Sequence, residues 1–83
     1  MKMKLYSIKD TKVAMKNPFL AHNDAEATRM LKNVVNDKRN NSEIAMNPED
    51  HELWGVGLWD DQTGKIESDI RFITKAIDLK EGD

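Results

Sequence analysis

Cysteine is absent from this 83-residue sequence, and its absence excludes several classes of protein. Without disulfides, a secreted disulfide-stabilised scaffold is excluded. Thiolate catalysis and cysteine-ligated zinc are excluded for the same reason. A chain of this length forms one domain and buries only roughly 60–65% of the surface that its unfolded form exposes. We therefore expect a single domain, residues 1–83, that gains stability from self-association or from a partner.

Long apolar runs are also missing from the sequence. No stretch approaches the roughly 20 residues of a membrane-spanning helix. The opening residues, Met1 to Tyr6, lack the apolar segment of a signal peptide. The sequence therefore predicts no membrane partner, and we expect the protein to act where it is synthesised, in a cytoplasm.

Charge of both signs is abundant but is divided unevenly along the chain. The net charge is −2, yet residues 1–41 carry nine basic and four acidic residues, whereas residues 42–83 carry four basic and eleven acidic residues. One interpretation is a basic face for a polyanion beside an acidic face for a protein. The other is a pair of oppositely charged halves that fold against each other or against a neighbouring copy.

The strongest local pattern predicts a helix that begins after Asn23. Asn23 is a favourable N-cap and Glu26 stands three residues later, which is a variant of the capping box. Apolar residues then recur at the spacing of one helix face: Ala27, Met30, Leu31, Val34 and Val35. The pair Asn40–Asn41 marks the predicted end of this helix.

Strands are predicted on either side of the helix. Residues 3–9 are expected to form the first strand, and residues 10–22 a loop. The run Leu53–Trp59 is expected to form a second strand, whose alternation divides its side chains between two faces. One face takes Trp54, Val56 and Leu58, and the other takes Leu53, Gly55, Gly57 and Trp59.

A hairpin is predicted to follow the second strand. Residues 60–64 are typical of a tight turn, with Gly64 suited to a left-handed backbone conformation. Residues 65–67 begin the return strand. The tail, residues 70–79, fits either a helix or a strand, and we favour an extended conformation.

These elements predict an α+β fold of β-α-β-β order, with the amphipathic helix packed on one face of a small, mainly antiparallel sheet. Gly55 and Gly57 would let a large side chain or another backbone approach closely. We expect Trp54 in the core because Val56 and Leu58 share its face. Trp59 shares its face with the glycines and lies beside the turn, which makes it the candidate interface aromatic.

Residues with catalytic potential form no recognisable motif. His22 and His51 have neither catalytic nor metal-ligand spacing, and histidines beside a helix cap or a strand start usually lie at the surface. Asp60 and Asp61 are typical of a turn before glycine, with a metal-dependent nuclease as the alternative. The sequence therefore predicts a non-enzymatic protein with no catalytic residues, no metal site and no cofactor.

Basic residues of the amino-terminal half favour a nucleic-acid surface. We predict phosphate contacts from eight residues: Lys2, Lys4, Lys9, Lys12, Arg29, Lys32, Lys38 and Arg39. Tyr6, Trp54 and Trp59 are candidate platforms on which unpaired bases stack. The alternative is that the basic residues form only a solvated face and the aromatic residues belong to the core.

Five ordered segments carry a family resemblance. They are MKLYSIKD from residue 3, NPF from residue 17, NDAEA from residue 23, PED from residue 48 and LWGVGLWDDQTG from residue 53. Together they resemble the small nonstructural protein of gokushovirus-type Microviridae, which are tailless icosahedral bacteriophages with circular single-stranded DNA genomes. The resemblance spans nearly the whole chain, and its most specific part is the run that follows PED.

The resemblance implies a non-virion protein that is made in the infected bacterial cytoplasm and takes part in viral DNA replication, at the switch from duplex copying to single-strand synthesis. It implies DNA binding, so the expected partners are single-stranded DNA, a second copy of the chain in a homo-oligomer, and a phage or host replication protein. The overall acidic charge departs from a protein that coats DNA, so DNA contact would be local to the basic half or indirect. The alternative is a self-assembling module that engages a phage or host protein through its acidic carboxyl-terminal half, without binding DNA.

Overall fold

The computed structural model describes residues 1–39 and 42–81 as one antiparallel sheet with a helix on one face. The strands are β1 (Lys2–Asp10), β2 (Phe19–Ala21), β3 (His51–Asp60) and β4 (Ile66–Lys75). They lie in the order β2-β1-β3-β4, and each neighbouring pair is antiparallel. The helices are α1 (Asp24–Val35) and α2 (Glu43–Met46), with 3₁₀ helices at Pro48–Asp50 and Ala76–Leu79. The predicted α+β class is confirmed, and β2 is a short strand within the predicted loop.

Helix α1 begins where its cap predicts. Asn23 has extended backbone angles, and its side-chain oxygen accepts the Glu26 N–H at 2.8 Å. The Glu26 carboxylate in turn accepts the N–H of His22 at 3.1 Å. These contacts satisfy backbone donors that a helix start leaves without partners.

The helix ends at Val35, earlier than predicted, and the pair Asn40–Asn41 lies outside the described residues. Asn36 caps the last turn because both its backbone N–H and its side-chain amide donate to Lys32 O. Its amide also donates to Leu79 O at 3.0 Å, and its side-chain oxygen accepts the Glu81 N–H at 2.8 Å. The end of α1 is therefore held both by a local cap and by contacts with a distant segment.

The core lies between α1 and the sheet. Ala27, Leu31 and Val35 of the predicted apolar stripe are buried, whereas Val34 is half-buried and Met30 is 42% exposed. The sheet contributes buried side chains, which are Tyr6, Ile8, Ala21 and Leu53, and the second 3₁₀ helix contributes Ala76. The stripe is correct apart from Met30, which lies at the rim of the helix–sheet contact.

An extra residue in β3 changes which side chains share a face. Leu5 pairs with Gly57, but the next residue, Tyr6, pairs with Gly55, so Val56 has no partner of its own on β1. Such a β-bulge interrupts the alternation of side chains. The prediction that the two tryptophans lie on opposite faces is wrong, because Trp54 pairs with Ser7 and Trp59 with Met3, and these two β1 residues share a face.

The hairpin between β3 and β4 confirms the predicted role of its glycines. Gly64 has φ of 77°, the left-handed conformation expected for the turn. A Cβ on Gly57 would lie 2.3 Å from Glu67 O, and a Cβ on Gly55 would lie 3.2 Å from the Arg71 guanidinium carbon. Gly57 thus admits a neighbouring backbone and Gly55 admits a large side chain.

The extended conformation predicted for the tail is confirmed as far as Lys75, where β4 ends. Ala76–Leu79 then turns into the 3₁₀ helix that packs on α1. Among residues 1–39 and 42–81, no helix combines the length and hydropathy of a transmembrane span.

Candidate functional site

Within residues 1–39 and 42–81, no helix lies over the face of the sheet opposite α1, and we call it the open face. Side-chain alternation and strand register assign to it Met3, Leu5, Ser7 and Lys9 of β1, Trp54, Val56 and Trp59 of β3, and Ile66, Ile70 and Phe72 of β4. Ile66 is 66% exposed, Ile70 59% and Phe72 47%. A solvated sheet face usually carries polar side chains, so this apolar face is a candidate contact surface.

Trp54 lies at the centre of the open face rather than in the core, so the core prediction for it was wrong. The physical reason is that α1 packs on the face that carries Leu53, and Trp54 is left half-buried on the other. Its indole N–H donates to the Glu52 carboxylate at 3.0 Å. Phe72 approaches edge-on, with ring centroids 5.7 Å apart and planes at 77°.

The ammonium group of Lys9 lies over the Trp54 ring. Its Nζ is 5.1 Å from the ring centroid, which is within the range of a cation–π contact. The side chains of Lys9, Trp54 and Phe72 therefore form one cluster, which we call the aromatic platform. It combines a half-buried π surface with a positive charge over the indole ring.

An apolar groove of about 440 Å³ adjoins the aromatic platform. Its walls include Ser7, Met15, Pro18, Val56 and Ile70. The Ser7 hydroxyl donates to Lys16 O at 2.6 Å, which holds the loop after β1 against the strand as one wall. The groove offers a mainly apolar recess, bordered by Lys9 and Lys16, beside a stacking surface.

The eight predicted phosphate contacts are distributed around the molecule. Lys9 lies on the open face, whereas Arg29 and Lys32 lie on α1, which packs on the other face. Lys4 borders a second groove on the helix side, together with Leu58 and His22. The remaining members are exposed in β1, in the loop after β1 and in the segment after α1; they are Lys2, Lys12, Lys38 and Arg39.

Several of these cations have acidic neighbours. Lys2 Nζ lies 3.2 Å from Glu67, Lys32 Nζ lies 3.3 Å from Glu81, and Arg39 Nε lies 3.6 Å from Asp37. All three pairs are exposed, so they are weak and easily exchanged for contacts with phosphate. The first two join the basic and acidic halves of the chain, which supports the interpretation that the halves fold against each other.

Tyr6 is completely buried, so it is not a stacking platform as the sequence suggested. Its hydroxyl donates to Asp24 at 2.7 Å, and Arg71 donates to the same carboxylate through two nitrogens at 2.7 and 2.8 Å. The Arg71 and Tyr6 hydrogen bonds lower the pKa of Asp24 to about 2. Burial and the Asp24 hydrogen bond raise the pKa of Tyr6 to about 12.

This Tyr6–Asp24–Arg71 cluster ties the first turn of α1 to β1 and β4. The guanidinium reaches Asp24 by crossing Gly55, where a side chain would be in its way. The Tyr6 hydroxyl and the Arg71 guanidinium both donate to the Asp24 carboxylate. We therefore assign the cluster a structural role, which is to hold the helix on the sheet.

Trp59, the predicted interface aromatic, is half-buried on the open face opposite Met3 and Ile66. It lies towards the turn end of β3, five positions from Trp54. The contact of Trp59 with a partner stays a prediction.

Sequence reasoning missed Phe72 and Ile70 as surface residues. The available signal was their spacing of two positions in the tail, which fits a strand with one apolar face. That signal does not reveal whether the apolar face is covered. Sequence reasoning also placed His51 at the surface, whereas the structure buries it to 2% exposure.

The fold and the open face define a small α+β module with an uncovered, aromatic sheet surface. The chain belongs to the phage ORF5 protein family, whose model matches residues 3–79. It is therefore a bacteriophage protein. No curated protein and no solved structure matches it.

Proposed function

We propose that this phage protein binds single-stranded DNA on its open face. The aromatic platform carries the proposal, because a partly exposed indole beside a lysine is the arrangement with which proteins stack unpaired bases and neutralise the adjoining phosphates. The groove beside Trp54 would receive a base edge or a sugar. Trp59 and Ile66 extend the apolar surface towards the hairpin turn.

The biological setting that we propose comes from the family and from the resemblance described above. The protein would act in viral DNA replication as a non-virion accessory protein in the cytoplasm of the infected bacterium, where single-stranded genomes are produced. A sheet that stacks bases without reading their edges suits a genome of any sequence.

The charges near the open face predict weak salt dependence. Lys9 lies over Trp54, and Lys75 lies opposite Glu52 at the same end of the sheet. Two phosphate contacts on a single strand give a slope of about −1.4 for log K against log salt, since each contributes about −0.7. Binding through four residues of the helix side, Arg29, Lys32, Lys38 and Arg39, would instead give about −2.8.

Fluorescence anisotropy with a labelled oligothymidylate, measured at several salt concentrations, tests the proposal. Trp54→Ala and Phe72→Ala should each weaken binding about tenfold, because loss of a base–aromatic stack costs about 1–3 kcal/mol. Met46→Ala is a matched control, since Met46 is apolar, 66% exposed and on α2.

A second set of variants separates the two candidate DNA surfaces. The combined change of Arg29, Lys32 and Arg39 to glutamate should reduce affinity only modestly if the open face binds. Loss of binding in that variant, with Trp54→Ala unaffected, would transfer the interface to the basic side of the helix. No binding by the unmodified protein at low salt would overturn DNA binding altogether.

Strand β4 supports a second candidate function, self-assembly. It is an edge of the sheet, ten residues long and largely exposed, so its outer backbone groups are available to another strand. Antiparallel pairing of two copies about Arg71 would place Ile70 of each copy opposite Phe72 of the other, both on the open face. The homo-oligomer expected from the sequence would then extend the open face across two chains.

Native mass spectrometry and sedimentation velocity test this pairing. Ile70→Lys should weaken the dimer because it places a charge opposite the apolar ring of Phe72 in the other copy. Adding Phe72→Glu to that variant should restore the dimer, because the two facing positions then carry opposite charges. A monomer at all concentrations, or a dimer indifferent to both changes, would argue against pairing through β4.

A further inference from the structure

His51 has a buried ring nitrogen with no hydrogen-bond partner within the described part of the chain. Its Nδ1 lies 2.8 Å from Asn47 O, and because a carbonyl oxygen only accepts, this contact requires the tautomer with its hydrogen on Nδ1. The lone pair is then on Nε2, which is buried and unpaired. A buried nitrogen of this kind needs a partner, and the described residues supply none.

Two carboxylates lie close to the His51 ring. Asp10 ends β1 and is the strand partner of His51, and its Oδ2 is 3.8 Å from Nε2. Glu43 begins α2, and ligand atoms of the three residues all lie within 4.8 Å of one another. One nitrogen and two carboxylate oxygens therefore converge from β1, α2 and β3.

We propose that Asp10, Glu43 and His51 bind a divalent transition-metal ion of the Zn²⁺ class. Imidazole with carboxylates is a donor set that such ions accept. Ligands about 2.1 Å from a tetrahedral ion stand roughly 3.4 Å apart. Asp10 and His51 therefore need to approach by a few tenths of an ångström, and Glu43 by at most about 1.4 Å.

The residues around this site already orient the ligands. The Asn47 carbonyl fixes the His51 ring, and the Lys12 N–H donates to Asp10 Oδ1 at 3.0 Å, leaving Oδ2 free to coordinate. Such outer contacts are typical of metal-binding histidines and carboxylates. Glu43 is 71% exposed and bonds to Lys16 Nζ at 3.2 Å, so an ion would displace that ammonium group as it enters from solvent.

Isothermal titration of the full chain with ZnCl₂ tests the site, and we expect one ion per chain. Glu43→Gln and Asp10→Asn should each weaken binding at least tenfold. Asp10→Asn should remain folded, because its amide oxygen still accepts from Lys12 and its amide nitrogen can donate towards His51. His22→Ala is the matched control, since it removes the exposed histidine that bonds to Glu26.

Nitrogen NMR of the imidazoles adds a readout independent of any variant. Zn²⁺ should shift the Nε2 resonance of His51 and leave that of His22 in place. Absence of Zn²⁺ binding would overturn the proposal, and so would binding that His22→Ala removes or that Glu43→Gln leaves intact. None of the three ligands belongs to the aromatic platform, so this outcome is independent of DNA binding.

Discussion

The two faces of the sheet have similar apolar content but different surroundings. On the helix side, Tyr6 and Leu53 are completely buried under α1. On the open face, Ile70 and Phe72 are about half exposed, and Trp54 is half-buried in contact with Lys9 and Phe72. Among the helices of the described residues, α1 alone is long enough to cover a sheet face, so the second apolar face is left exposed.

The helix-covered face of the sheet therefore stabilises the fold, while the open face of the same strands is available for function. Burial under the helix stabilises the fold because apolar surface leaves water. The open face gains no such protection, and keeping large apolar residues there has a cost in solubility. A contact surface for a ligand or for a second copy accounts for that cost.

The largest effect is expected from truncation on the helix side. Leu31 is 3% exposed, and Leu31→Ala should lower the free energy of unfolding by about 3 kcal/mol through lost burial and a residual cavity. Urea unfolding followed by circular dichroism measures this loss. Met46→Ala, at a 66% exposed position, should change stability by less than about 0.5 kcal/mol, and equal losses would contradict the assignment of the core.

A somewhat smaller effect is expected at Gly57, where β4 passes close to β3. Gly57→Ala should cost about 2 kcal/mol, because its Cβ would meet backbone that cannot move independently. Gly55→Ala meets only the Arg71 side chain and should cost less. Amide chemical shifts would show whether β4 separates from β3 in the Gly57 variant alone, as we expect.

The Asp24 cluster predicts a contribution that depends on pH. Its folded pKa of about 2 lies below the ordinary 3.8, so the stabilisation is present above that ordinary value and is lost as the pH falls through the folded pKa. The side chains of Asp24 and Arg71 are both over a third exposed, so solvent screens their interaction. We therefore expect it to contribute only about 1 kcal/mol to the free energy of unfolding.

Urea midpoints at several acidic pH values test this contribution against Asp24→Asn. The variant should start less stable at neutral pH and lose less stability on acidification than the unmodified chain. Asp69→Asn is the control, because Asp69 lies 3.9 Å from Arg71 and is 65% exposed. Identical pH profiles for the Asp24 variant and the unmodified chain would contradict the assignment.

The smallest change in stability is expected on the open face. Ile70 is 59% exposed, so Ile70→Ser should alter the free energy of unfolding by less than about 0.5 kcal/mol. The same change should weaken single-stranded DNA binding severalfold, because Ile70 lines the groove beside Trp54. A large loss of stability would instead show that this face is part of the core.

Local signals predicted the elements of this fold well. The Asn23 cap, the spacing of Ala27, Leu31 and Val35, and the left-handed Gly64 each depend on nearby residues alone. The side on which each tryptophan lies was not predictable in this way. It depends on the unpaired Val56, and strand pairing places that bulge where Leu5 and Tyr6 meet their partners.

The sequence by itself determined the class of fold, the start of the helix and the glycine-dependent hairpin, because these follow from backbone propensities and short-range periodicity. Tertiary structure alone decided that Trp54 is a surface residue, that Tyr6 and His51 are buried, and that Lys9 and Arg29 lie on different sides. The physical reason is that one helix covers one face of a two-sided apolar sheet. Which face it covers is settled by packing between segments that are distant in the chain.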